Sequence, residues 1–212
     1  MKKIEESYEQ SLNAFKYSQE YADYLIDILQ HLDHRMIGEI IKVFEEAQTA
    51  KKRIYFAGNG GSASTCGHFV NDLTALARKN KGGELRVIDL TSNLATITAL
   101  ANDIGYSDIF IGQIENIISP DDIFVVISAS GNSANLVKAV RYARSKGTKV
   151  IGFLGFDGGV LKDLCDLAMV IKTPQGQYGP VEDVHLILNH LISSYLSLKH
   201  SHEKVSVRFP DK

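Results

Sequence analysis

The sequence predicts an α/β fold: a doubly wound, five-stranded parallel sheet flanked by helices. Three observations predict it. Five short apolar runs recur along the chain, each ends in a turn or in Gly, Ser and Asp residues, and most lead into a stretch with helical periodicity. Runs without polar alternation are the kind that a parallel sheet buries on both faces. The intervening stretches are long enough for crossover helices, and right-handed crossovers put helices on both faces of the sheet.

The elements follow in order. Residues 4–50 carry apolar side chains at helical spacing: Leu25, Ile28, Leu29 and Leu32, then Met36, Ile37, Ile40, Ile41, Val43 and Phe44. They read as two helices broken near Asp33 and His34, whose apolar stripes cannot both be buried on each other alone. The five strand-like runs are residues 53–57, 85–89, 123–128, 149–154 and 167–171. Helices are expected over 63–76, after Ser133 through Leu136, Val137 and Val140, and from Val181 to about Leu198. The last follows Pro180 and is apolar at Val184, Leu188, Leu191, Ile192 and Tyr195. The expected organisation is a helical region over 1–50, one α/β domain over 51–199 and a polar tail over 200–212.

Composition narrows the function. With 212 residues, 44% of them hydrophobic, the chain can bury one sizeable core without disulfides or a structural metal. Basic and acidic residues number 23 and 25, and the basic groups are short, such as Lys51, Lys52 and Arg53, so a nucleic-acid partner is not expected. Cys66 and Cys165 lie far apart and form no CxxC pair, which suits reduced thiols in the cytoplasm. No apolar run approaches the roughly 20 residues of a membrane span, and the first 20 residues lack the apolar core of a signal peptide. A cytoplasmic protein without a membrane partner is expected.

Two loops carry phosphate-binding chemistry. Gly58, Asn59, Gly60, Gly61 and Ser62 join the first apolar run to a helix. Glycines let the backbone approach an anion, and the free N–H groups of a helix start, with the Ser62 hydroxyl, can donate to it. The loop has neither the Gly-Lys-Ser/Thr of a Walker A motif nor GxGxxG spacing. Ser128, Ala129, Ser130, Gly131, Asn132 and Ser133 follow the third run and open another helix. Three hydroxyls and a glycine there make a donor-rich cradle that can hold a phosphate without a lysine. N-capping accounts for one of those serines but not for three.

At these loops, with His68 and Asn135 close behind them, the chain resembles the SIS (sugar isomerase) domain family, and most closely its phosphoheptose isomerases. Residues Ala101, Asn102 and Asp103, the Asp157-Gly158-Gly159 turn and the closing helix with His185 and His190 extend the resemblance over nearly the whole chain. It implies the SIS fold and a homotetramer in which the N-terminal helices serve oligomerisation. It also implies a phosphorylated sugar as ligand, held by Asn59, Gly60, Gly61, Ser62, Asn102, Asp103, Ser128, Ala129, Ser130, Ser133 and Glu182.

The acid, base and metal residues sit on two helices. His68 and Asp72 stand four apart, so their side chains share one helix face. On the closing helix, Asp183 and His190 lie within about 20° of each other around the axis and Glu182 and His190 about 80° apart, so spacing alone leaves the choice of carboxylate open. The resemblance implies a metal at His68, Asp72, Glu182 and His190, with zinc or another divalent ion as cofactor. It leaves His185, like His31, His34, His200 and His202, outside the ligand set. It also implies Asp72 as the base and His190 as the second acid/base in an isomerisation of sedoheptulose 7-phosphate through an enediol. The chain departs from that family pattern at Asp72 (Glu expected), Glu182 (Gln expected), Leu76 (Arg expected, with Arg78 nearby) and Gly179 (Asp expected). The alternatives are a non-catalytic SIS regulatory or scaffold protein that binds sugar phosphate, and an isomerase of another phosphosugar.

Overall fold

The apolar runs pair as five parallel strands: β1 (Arg53–Gly58), β2 (Arg86–Asp89), β3 (Ile123–Ser128), β4 (Lys149–Gly155) and β5 (Leu167–Ile171). Their spatial order is β2-β1-β3-β4-β5 in a single sheet, in register through Ile54 opposite Ile123 and Ile151 opposite Leu167. This is a computed structural model describing residues 4, 6, 8, 13–79 and 84–206. Side chains of 77–79 and 200–206 lie outside that description, so the expectations for Arg78, His200 and His202 do too.

Side-chain alternation divides the core in two. Ile54, Phe56, Val125, Ile127, Ile151, Phe153, Met169 and Ile171 face one layer of helices, and Tyr55, Ala57, Phe124, Val126, Val150 and Leu154 face the other. The first layer holds α1 (Ala14–Gln30), α2 (His34–Thr49), α3 (Gly61–Lys79) and α8 (Tyr178–Ser206). The second holds α4 (Leu94–Asp103), a 3-10 turn (Tyr106–Asp108), α5 (Ile111–Ile114), α6 (Ala134–Ser145) and α7 (Gly159–Leu164).

The N-terminal helices break where the sequence predicts, because Asp33 caps α2 by accepting from the Met36 amide at 3.0 Å. The apolar stripe of α2 is buried within the same chain at Ile37, Ile40, Ile41, Val43, Phe44 and Ala47. Of these two helices, α1 keeps large apolar groups in the open, with Phe15 75% and Ile26 52% exposed. The closing helix begins at Tyr178, ahead of Pro180, rather than at Val181. Proline is tolerated there because the first-turn amides of a helix have no intrahelical acceptor. The helix also continues to Ser206, so the tail expected from His200 is helical through that point, and 207–212 lie outside the described residues.

The chain leaves β1 towards one edge and returns to β3 on the other side of β1. The carboxyl ends of β1 and β3 therefore open onto loops that diverge, the place where doubly wound sheets bind ligands.

Candidate functional site

Both glycine- and serine-rich loops leave the sheet at this reversal, and they are tied together. Asn59 and Asn135 exchange two hydrogen bonds, each amide nitrogen donating to the other's oxygen at 3.0 and 2.9 Å. Tyr106 Oη donates to the same Asn59 oxygen at 2.9 Å. Below the second loop, the Asn132 carboxamide accepts from the Val160 amide and donates to the Ser130 carbonyl. Gly131 fits because its φ is +64° and its α-carbon faces the Gly158 backbone, a conformation and an approach that a side chain would oppose.

A cavity of about 170 Å³ opens between the loops, lined by Asn59, Ser62, Ser128, Ala129, Ser130, Ser133, Tyr178 and Glu182, with Ile127 at its base. Ser128 Oγ accepts from the Gly131 amide at 3.1 Å, which shapes the turn. Ser133 occupies the N-cap position of α6 yet makes no capping bond with its side chain. The Glu182 carboxylate lies against Gly61 at the start of α3. Desolvation, and then the neighbouring Asp183 charge, raise the Glu182 pKa above the usual carboxylate value. Asp183 itself is engaged elsewhere, accepting from Tyr21 Oη of α1 at 2.6 Å. The structure thus separates two carboxylates that helical spacing alone did not.

Further along the same two helices, His68 and Asp72 of α3 meet His190 of α8. The two Nε2 atoms are 3.1 Å apart, and Asp72 Oδ2 lies 3.4 Å from the His68 nitrogen and 3.9 Å from that of His190. One ligand atom from each residue falls within 4.8 Å of the others. Two nitrogen lone pairs and a carboxylate oxygen converging on one point are the donors of a three-residue site for a borderline divalent cation, with further coordination positions left for substrate or water. The residues present fit such an ion. Asn189, fully buried, donates to Asp72 Oδ2 at 3.0 Å.

The sequence-predicted residues divide into three groups. His68, Asp72 and His190 come together as expected, and Asn59, Ser62, Ser128, Ala129, Ser130, Ser133 and Glu182 come together in the loop cavity, with Gly60 and Gly61 in its wall-forming turn. Glu182, expected among the metal ligands, is not in the His68–Asp72–His190 group: it stands two helical turns before His190 and turns to the loops. Asn102 and Asp103 are exposed at the end of α4 and bond to each other, and neither lines the cavity. The same segment reaches the site through Tyr106 instead. His185 is 1% exposed and bonds the Leu154 carbonyl, a core histidine between α8 and β4. Tyr106, Tyr178 and Asn189 carried no sequence signal, since none belongs to a local motif.

The strand order, with both loops at its reversal, defines the class: an α/β domain of the SIS type, whose family model matches residues 16–155. A phosphoheptose isomerase of Nitratiruptor sp. is 36% identical over 151 residues, 71% of this chain and 79% of that protein. The solved phosphoheptose isomerase of Neisseria gonorrhoeae superposes with a TM-score of 0.77 at 25% identity over 87% of this chain and 98% of the other. That of Francisella tularensis gives 0.75 at 26% identity over 88% and 99%. The chain belongs to the phosphoheptose isomerase family of SIS-domain proteins. Among the described residues, no helix is long and apolar enough to cross a membrane.

Proposed function

We propose that this chain is an aldose–ketose isomerase that interconverts sedoheptulose 7-phosphate and D-glycero-D-manno-heptose 7-phosphate. The carrying observation is the convergence of His68, Asp72 and His190 from two helices whose N-terminal ends flank a separate, donor-lined cavity. Substrate length supports the reading. Eight residues of helix separate Glu182 at the cavity from His190, a rise of about 12 Å. At about 1.2 Å per bond in an extended chain, the path from the phosphorus of a heptose 7-phosphate to its C1 and C2 spans roughly 8–10 Å, and that of a three-carbon phosphosugar about half as much.

In this reading Ser62, Ser128, Ser130 and Ser133, with Asn59 and the backbone of Gly60, Gly61 and Ala129, hold the phosphate. Glu182 and Tyr178 face the hydroxyl-bearing chain. Asn102 and Asp103 take no part. Asp72 removes the proton from carbon, and His190 moves the proton between the oxygens of the cis-enediol. A divalent ion such as zinc, held by His68, Asp72 and His190, supplies polarisation of the carbonyl and charge stabilisation at the developing enediolate. The protein works in the cytoplasm as a homotetramer, with residues 1–50 at subunit contacts. The exposed Phe15 and Ile26 on α1 and the exposed row Leu191, Tyr195 and Leu198 on α8 favour such contacts.

The test is turnover of sedoheptulose 7-phosphate followed by NMR, with exchange of the C1 proton as the readout and Asp72→Asn as the control. Loss of about 10²–10⁴-fold in kcat is expected from removing a general base. Equal inertness of wild type and variant, with sugar phosphate still bound, would instead make this a non-catalytic binding protein.

A further inference from the structure

We infer that Asn189 is a positioning residue that fixes the Asp72 carboxylate for the cation site, an inference that rests on the site proposed above. Asn189 is on α8, adjacent to His190 in sequence, and is 0% exposed. Its Nδ2 donates to Asp72 Oδ2 at 3.0 Å, the same oxygen that faces both imidazoles. Its Oδ1 is buried with no hydrogen-bond partner among the described residues. Turning the amide over would set that oxygen against the carboxylate, two acceptors face to face, so the carboxylate dictates which way the amide points.

The orphaned oxygen is the informative part. A buried acceptor without a partner is a net loss to stability, and an apolar side chain of similar size at this core position would avoid it. The gain must lie on the Nδ2 side, where the bond removes rotational freedom from Asp72. Asp72 is only partly exposed, and its other oxygen has a single long contact, 3.5 Å from Asn71 Nδ2, which restrains its two torsions weakly. With Nδ2 in place, one oxygen is held towards the two Nε2 atoms and keeps lone-pair capacity for a cation while it accepts from the amide. Such support around a ligating carboxylate characteristically changes metal affinity about 10–100-fold.

The experiment uses the full chain stripped of metal and titrated with zinc, then cobalt(II), against a competing chelator, for wild type, Asn189→Ala and Asn189→Leu. Each is also assayed for kcat and KM and for thermal midpoint. Alanine leaves room for a water that can donate to Asp72, whereas leucine fills the space and excludes one. The expected order of metal affinity is therefore wild type, then Ala lower by about tenfold, then Leu lower by about a hundredfold, with kcat following and KM changing by less than about threefold. The expected order of stability between the variants is the reverse, Leu above Ala, because alanine opens a cavity. Metal affinity equal to wild type in both variants overturns the inference, and so does an affinity order that merely follows the thermal midpoints. If the leucine variant does not fold, the alanine variant decides: tenfold loss supports the role and no loss overturns it. Wild type that binds neither metal overturns the site itself, an outcome distinct from wild type that binds while the variants match it.

Discussion

Gly61→Ala isolates the contact between the first loop and α8. Gly61 is the first residue of α3, and its φ lies outside the left-handed region, so alanine is compatible with the backbone. An added Cβ would stand 2.5 Å from both Cδ and Oε1 of Glu182. Comfortable heavy-atom contact is about 3.5–4.0 Å, so the carboxyl group must retreat by at least about 1 Å. Displacement of that size at a substrate contact costs about a hundredfold when the group orients the reacting molecule. The fold has no matching penalty, since alanine is favoured over glycine in a helix by up to about 1 kcal/mol. The expected outcome is a fall of about ten- to a hundredfold in kcat/KM with an unchanged or raised thermal midpoint, measured by steady-state turnover and calorimetry. Adding Glu182→Asp to Gly61→Ala withdraws the carboxylate by one methylene and should recover part of the loss, a coupling a double-mutant cycle reads directly. Wild-type kcat/KM in the single variant, or no coupling in the cycle, would refute the role given to this contact.

Two further perturbations test the frame around the site. Gly131→Ala should destabilise the chain by about 3 kcal/mol or more in urea unfolding. Its Cβ would meet backbone, 2.5 Å from Gly158 C and 3.0 Å from Gly159 N, at a φ of +64°, so no side chain can give way; a variant as stable as wild type would show that the two turns are not packed as described. His185 sets a pH dependence. Burial pushes its pKa from 6.5 to about 4. Between those values the unfolded chain binds the proton and the folded one does not, so stability is level above the unfolded pKa and declines as pH falls towards 4. The integrated loss is about 3 kcal/mol. His185→Leu should remove that slope, and parallel decline of wild type and variant over the window would sink the assignment.

Local chemistry made the framework legible. Apolar runs with few polar interruptions marked the strands because both faces of this sheet are covered, and glycine and serine at their ends marked the loops because glycine lets backbone approach closely and serine adds a short hydroxyl donor. The break between α1 and α2 showed in the apolar spacing near Asp33 and His34, and the Asp33 cap that fixes it spans only three residues. What stayed hidden depends on contacts across long stretches of chain. The Asn59–Asn135 pair joins positions 76 apart, and Asn189 reaches Asp72 over 117. Glu182 and Asp183 part through Tyr21, 162 residues away on α1, which holds Asp183 while Glu182 lies against Gly61. Asn102 and Asp103 stand exposed at the end of α4, outside the cavity lining, and nothing local says that this segment reaches the loops through Tyr106.

Among the described residues, the lining of the proposed phosphate cavity has a carboxylate and no lysine or arginine. Its electrostatics therefore rest on backbone. Ser62 belongs to the first turn of α3, Ser133 occupies the N-cap position of α6, and Tyr178 and Glu182 belong to the first turns of α8, so three helix N-termini open onto one cavity. Each presents about half a positive charge through unpaired amides, together roughly +1.5, enough to offset most of a phosphate dianion but not a full carboxylate charge as well. The raised Glu182 pKa points the same way, because desolvation and Asp183 already disfavour its charge before any anion arrives. The reversal of strand order brings the first two helix ends together, and α8 adds the third by starting beside them. Glu182 can thus share the cavity with a phosphate to the extent that the ligand's arrival drives its carboxyl towards the neutral, hydrogen-bond-donating form.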